Sequence, residues 1–197
     1  MKLAALFVIL CTTPFVPQTP DVDADRAAIR QAVLDYAEGY YDHAPDRMER
    51  AISPLLTKRA LMVRPGIPPF LTQMNSEMLI EATKGNAPRP AAADRKLVAE
   101  VLDVNGDIAS ARVFSVQFDD YIHLVKRDGR WKLVSVLWHP PLPGPADPAA
   151  ITPAIESAAR DYASGDPQRT VAALSPVAAL RTLMSGPSGT RVLGDQN

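Results

Sequence analysis

DDYIHLVKRDGRWKLVSVLW, residues 119–138, is the stretch on which the fold turns. Asp128-Gly129 separates two alternating apolar runs, and both residues tolerate the positive φ that a two-residue type I′ turn requires, so a β-hairpin is predicted. With those two as the loop, Lys126 faces Trp131, Leu124 faces Leu133, Ile122 faces Ser135 and Asp120 faces Leu137. The opposite face then carries Tyr121, His123, Val125, Val134, Val136 and Trp138. Neither face is uniformly polar. Such a sheet needs cover on both sides, and one cover is expected to enclose a cavity.

Upstream, residues 25 to 43 predict a long helix, because Ala28, Ile29, Ala32, Val33, Tyr36, Ala37 and Tyr40 recur at helical spacing, with Asp25 as N-cap. Pro45 opens a second short helix with Met48, Ala51 and Ile52 on its apolar side, and Ser53-Pro54 restarts the chain into LLTKRALMV. RPGIPPF, residues 64 to 70, reads as a loop on account of its prolines and glycine. A third helix is predicted at about 71 to 84, with Leu71, Met74, Met78 and Ala82 in line, followed by a linker at 85 to 95. Then come KLVAEVLDV, the Asn105-Gly106 turn, DIASARVFSVQF and the hairpin. Three helices followed by a four-stranded antiparallel meander, with one further strand hidden near 60 to 64, give an α+β domain.

DRAAIRQAVLDYAEGYYDHAPDRMERAISPLLTKR, LTQM and DYIHLVKRDGRWKLVSVLW together resemble the putative lumazine-binding family of the nuclear transport factor 2-like (NTF2-like, SnoaL-like) superfamily. The resemblance covers roughly residues 25 to 139, and the DYxHL and GRWK strings are its most specific parts. It implies an NTF2-like cone: three N-terminal helices packed on a curved antiparallel sheet, an interior pocket, and frequent dimerisation through the sheet. No reaction comes with it. The family pattern places His-Pro after the second helix, where this chain has Ser53-Pro54, so imidazole chemistry is absent at that point.

A gapless shift of 122 residues brings 147–183 onto 25–61 with 14 of 37 positions identical, among them Tyr162 on Tyr40, Pro167 on Pro45, Arg169 on Arg47 and Ser175-Pro176 on Ser53-Pro54. Matching breakers and caps in one register indicate a duplication. The expected domain plan is a signal peptide at 1–20, the NTF2-like domain at 21–140 and a Pro/Gly linker at 141–150. A truncated, helices-only second copy at 151–183 and a disordered tail at 184–197 follow. Pro153 sets the start of the copy's helix at Thr152-Pro153. The copy has Ala158 and Ala163 where the first segment has Tyr36 and Tyr41, so it keeps scaffold and loses aromatic lining. Without a sheet of its own it is expected to pack on the first domain, dock on a partner, or stand as a remnant.

Length and charge bound the remaining classes. A 197-residue chain with 47% hydrophobic residues and a net charge of −1 can bury a sizeable core and has no electrostatic bias toward nucleic acid or anionic membranes. Met1-Lys2, the apolar LAALFVILC and the Pro/Thr-rich TTPFVPQTP predict a secretory signal peptide, hence a secreted or periplasmic protein with no membrane attachment after cleavage. Cys11, the single cysteine, lies in that leader, so the mature part has neither disulfides nor cysteine-based chemistry, and no cofactor is expected.

Candidate chemistry concentrates on the hairpin and the first helix. Asp120 and His123 are the catalytic candidates, as bases at a cavity mouth; the plainer readings are a turn acid and a buried histidine with a hydrogen-bonded neighbour. Tyr36, Tyr40, Met74, Met78, Tyr121, Ser135 and Trp138 are the ligand-binding candidates, with ordinary core as the plainer reading of the tyrosines and methionines. Trp131 beside Lys126 reads as a surface cation–π pair. Three scattered histidines without paired carboxylates make no metal site. The leading expectation is a pocket domain for a small apolar or aromatic molecule, with a homodimer through the sheet as a possible assembly. An isomerase-, cyclase- or dehydratase-type enzyme is the rival reading, and an interaction module is the third.

Overall fold

Helix α1, Val22–Tyr41, begins where the Asp21 carboxylate accepts the Ala24 N–H at 3.0 Å. Asp21, rather than Asp25, is therefore the cap. Asp25 lies one turn inside, buried against the sheet, where it accepts hydrogen bonds from Lys126 Nζ at 2.6 Å and Trp131 Nε1 at 2.9 Å. Lys126 Nζ lies 6.0 Å from the Trp131 ring centre as expected, but Trp131 is buried rather than at the surface, and the two side chains together act as a two-donor clamp that ties the start of α1 to the hairpin. The computed structural model describes residues 21–64, 66–140, 148–173, 180–185 and 191–196. The expected signal peptide at 1–20 and residues 141–147 of the expected linker lie outside them.

α2, Pro45–Ala51, starts on Pro45 and packs Met48 and Ala51 against α1. The close approach needs Gly39: a Cβ there would sit 3.0 Å from the Met48 backbone nitrogen. The chain then departs from the sequence expectation. Ile52–Arg64 is strand β1, Ile67–Asn75 is strand β2, and the third helix, α3, occupies only Ser76–Lys84. The expected loop at 64–70 is largely strand, with Arg64 closing β1 and Ile67 opening β2. This is possible because β2 is the sheet's edge and Pro68 and Pro69 fall where the β1–β2 register shifts, so their missing N–H groups face the free edge or the irregularity.

β3 (Val98–Asn105), β4 (Ile108–Phe114), β5 (Asp119–Arg127) and β6 (Arg130–His139) complete a six-stranded sheet in the order β2-β1-β6-β5-β4-β3. β3 to β6 are the expected four-stranded antiparallel meander, whereas β1 runs parallel to β6 and carries β2 antiparallel on its other edge, so the six-stranded sheet as a whole is mixed rather than antiparallel. One face packs on α1, where Ile29, Val33, Ala37, Ile122, Leu124, Leu133 and Val136 form a continuous core. Each large aliphatic group fully buried there contributes about 1.5–3 kcal/mol.

The Asp128-Gly129 turn has both residues at positive φ, 52° and 72°, and Lys126↔Trp131 and Leu124↔Leu133 pair as the turn chemistry dictates. Beyond them Val134 is an extra residue, a β-bulge, and the register slips by one to His123↔Ser135, Ile122↔Val136, Tyr121↔Leu137 and Asp120↔Trp138. A one-residue slip exchanges faces. Trp138 and Val136 therefore join Asp120 and Ile122 toward α1, while Tyr121, His123, Ser135 and Leu137 occupy the outer face.

Further along, α4 (Pro148–Ala163), α5 (Pro167–Ala173) and the paired strands β7 (Leu180–Ser185) and β8 (Arg191–Gln196) repeat the element order α1-α2-β1-β2. This segment is not helices only, and 180–185 with 191–196 is a hairpin rather than a disordered tail. α4 starts at Pro148 and carries Pro153 inside it as its sixth residue, where one helical hydrogen bond is forgone. Arg47 of α2 reaches back to Asp35 and Glu38 of α1, and Arg169 of α5 reaches back to Asp161 of α4 at 2.6 Å.

Candidate active site and ligand cavity

Between α1, α3, the tip of α2 and the inner face of β1, β2 and β6 lies a cavity of about 380 Å³. Its wall is mostly apolar and aromatic: Tyr40, Met48, Met74, Leu79, Phe118 and Trp138. Phe118 is fixed by the turn before β5. Ser115 Oγ accepts the N–H groups of Gln117 and Phe118 at 3.2 Å each and the Tyr41 hydroxyl at 2.9 Å, while Tyr41 stacks on the Phe118 ring at 5.4 Å.

The cavity has one polar end. Tyr36 and Lys58 line it, and behind them sits Asp120, whose side chain is 0% exposed. The three form a closed triangle. The Tyr36 hydroxyl donates to Asp120 Oδ2 at 2.5 Å, while Lys58 Nζ donates to the Tyr36 oxygen at 2.5 Å and to Asp120 Oδ2 at 2.9 Å. Lys58 Nζ also lies 5.2 Å from the Tyr36 ring centre, 5.5 Å from that of Trp138 and 5.7 Å from that of Phe118. Asp120 Oδ1 is buried with no hydrogen-bond partner among the described residues.

Electrostatics follow from depth. Burial pushes the Asp120 carboxyl above its ordinary range, against the pull of the Lys58 charge and the two hydrogen bonds. Burial likewise pushes the Lys58 ammonium down, with Asp120 opposing. The Tyr36 hydroxyl is raised well above its usual value by burial first and then by the neighbouring Asp120 charge, so at neutral pH it is a proton donor. The site therefore holds a donor hydroxyl and an amine whose proton Asp120 can accept, facing an apolar chamber.

The bulge decides which sequence candidates meet here. Tyr36, Tyr40, Met74 and Trp138 line the cavity, and Asp120 stands one layer behind it. His123 and Ser135 do not reach it. They line a separate outer-face groove with Asp103, Asn105 and Ser110. Tyr121 projects from the same outer face and is half exposed. Met78 also misses the chamber: α3 starts at Ser76, so Leu79 and Ala82 turn inward and Met78 faces solvent. Lys58, Phe118 and Gln117 were not singled out from the sequence. The signal for Lys58 was the Lys58-Arg59 pair inside an apolar run: in a strand, one of two adjacent cations must face inward. Under the 122-residue shift, Ala158 and Leu180 stand opposite Tyr36 and Lys58 in the sequence.

No group of His, Cys, Asp and Glu among the described residues could hold a metal ion, and no described helix is long and apolar enough to cross a membrane. A helix-lined cone of this kind, with an aromatic chamber closed by a Tyr-Lys-Asp triangle, defines an NTF2-like pocket domain. The family model described as putative lumazine-binding matches residues 24–139, and the chain belongs to that family. No curated protein matches. Among solved structures, an NTF2-like protein of unknown function from Shewanella baltica is 25% identical, with a TM-score of 0.51, over 66% of this chain and 100% of its own. Another, from Silicibacter pomeroyi, is 18% identical with a TM-score of 0.51, over 62% of this chain and 100% of its own, and shows the shared fold.

Proposed function

We propose that the chain binds a small, planar, uncharged molecule carrying an acceptor oxygen, its ring held among Tyr40, Phe118, Trp138 and Met74 and its oxygen on Lys58. The observation that carries this reading is the Lys58–Asp120 pair at 2.9 Å. The two charges cancel locally, so a ligand carboxylate gains nothing there, whereas the third ammonium hydrogen is available to a neutral carbonyl. Tyr36 is half of the same polar end. The family description names lumazine, a planar dioxo-heterocycle of this class, which makes it the first probe. Titration with lumazine at neutral pH should give a saturable quench of tryptophan emission that Lys58→Met abolishes. A linear, unsaturable response from folded protein would remove the reading.

A second reading is acid–base catalysis of the isomerase, cyclase or dehydratase kind, favoured by the 2.5 Å Tyr36–Asp120 contact. Asp120 would then act through the Tyr36 hydroxyl, not on substrate itself, and His123 would take no part. The exposed outer-face residues Leu61, Leu71, Tyr121 and Leu137 support a homodimer or another interaction through the sheet. We read the apolar leader as directing export and 147–183 as a partial duplicate; N-terminal sequencing of exported protein tests the former.

A further inference from the structure

Lys58 differs from an ordinary pocket cation in what surrounds its nitrogen. Its side chain is only 14% exposed and three aromatic rings stand within 6 Å of Nζ, so little water competes for the amine. Its two hydrogen-bond partners are both proton carriers: a hydroxyl at 2.5 Å and a carboxylate at 2.9 Å. A carbonyl oxygen seated on Lys58, as in the function proposed above, brings its carbon against the same nitrogen.

We propose that Lys58 condenses reversibly with planar aromatic or conjugated aldehydes in this cavity, forming an imine. This rests on the cavity reading above and adds a covalent step to it. Lys58 first passes one ammonium proton to Asp120, which leaves a lone pair on Nζ. That pair forms the N–C bond as the carbonyl π pair moves to oxygen, and the oxygen is protonated by the Tyr36 hydroxyl, which is replenished from Asp120. The nitrogen loses a second proton to the carboxylate. From the carbinolamine the C–O bond breaks, oxygen departs as water with that proton, and the nitrogen pair closes the C=N bond. The sum is ammonium plus aldehyde giving iminium plus water, with Asp120 and Tyr36 restored. Burial favours the step, since it lowers the proton affinity of the amine while raising that of the carboxylate that must accept the proton. Asp120, 2.9 Å from Nζ, exchanges protons with the reacting nitrogen directly and reaches the carbonyl oxygen only through Tyr36.

The experiment treats full-length protein with one equivalent of 2-naphthaldehyde and cyanoborohydride across a pH series, with the modified lysine located by peptide mass mapping. Lumazine quenching is measured on the same preparation. Lys58 should carry at least tenfold more label than Lys84, whose side chain is 54% exposed, and its pH midpoint should lie below that of Lys84. Tyr36→Phe keeps the amine and should slow labelling at Lys58 while leaving Lys84 unchanged. Labels distributed by exposure, with Lys58 unmodified although lumazine still quenches, would overturn imine formation and leave the binding reading intact. Loss of both signals from protein that melts cooperatively would overturn the two together.

Discussion

The Tyr36 hydroxyl donates to Asp120 Oδ2 across 2.5 Å, although 84 residues separate them in the chain. That bond joins the C-terminal half of α1 to the second residue of β5 and leaves Lys58 as the third corner. The bond orients a phenol that would otherwise rotate freely and holds a carboxylate that burial disfavours. Several expectations come from this triangle and its surroundings.

Asp120→Ala removes the counter-charge of a buried ammonium, and should cost about 3–5 kcal/mol as a lowered denaturant midpoint. The paired change Lys58→Met with Asp120→Leu removes both charges and should recover most of that loss while still failing to bind lumazine. If the double variant is no more stable than Asp120→Ala, the two charges are not coupled.

Trp131 and Trp138 are the two tryptophans, and they report different things. Trp138 lines the cavity, whereas Trp131 is buried and donates to Asp25. Trp138→Phe should therefore abolish the ligand-induced fluorescence change, and Trp131→Phe should keep it while lowering the melting temperature. Quenching that survives Trp138→Phe would place the ligand elsewhere.

Asp25 sits below its ordinary 3.8, chiefly through the hydrogen bonds from Lys126 and Trp131, with burial opposing. A depressed carboxylate gives stability that is present above the unfolded value and fades as pH falls through the folded one. Asp25→Asn should thus be clearly destabilised at pH 7 and approach the parent as pH falls through the lowered folded-state value, below which Asp25 is protonated in both states. Unfolding free energies measured across that range check the sign; a difference that stays constant with pH would contradict the clamp.

Gly39→Ala sets helix propensity against space. An alanine gains roughly 1 kcal/mol in a helix interior, but its Cβ would lie 3.0 Å from the backbone nitrogen of Met48, which cannot swing aside as a side chain could. Overpacking of about 1–3 kcal/mol should prevail, read as a lowered melting temperature with α2 the first region to lose amide protection. A stabilised variant would mean that α2 shifts freely on α1.

Much of the frame was readable from residue order. The 3.6-residue spacing from Ile29 to Tyr40 specified the buried face of α1, and Asp128-Gly129 specified the hairpin and its pairing as far as Leu124↔Leu133. RPGIPPF was misread because proline is costly in a paired strand and costs little at a free edge, and edge position is a property of the sheet, not of the segment. That misreading also hid Lys58, since LLTKRALMV shows an inward lysine only when taken as a strand.

By itself the sequence determined the family, the α+β class, the first helix and the hairpin turn, because each depends on contacts among near neighbours or on a local motif. The tertiary structure alone decided which side chains share the chamber. A single extra residue, Val134, turned Trp138 inward and left His123 outside, and the parallel β1–β6 pairing placed Lys58 beside Asp120. The physical reason is that strand side chains alternate with a period of two. A one-residue bulge therefore reverses every assignment beyond it, and bulges are set by how the whole sheet must curve over α1.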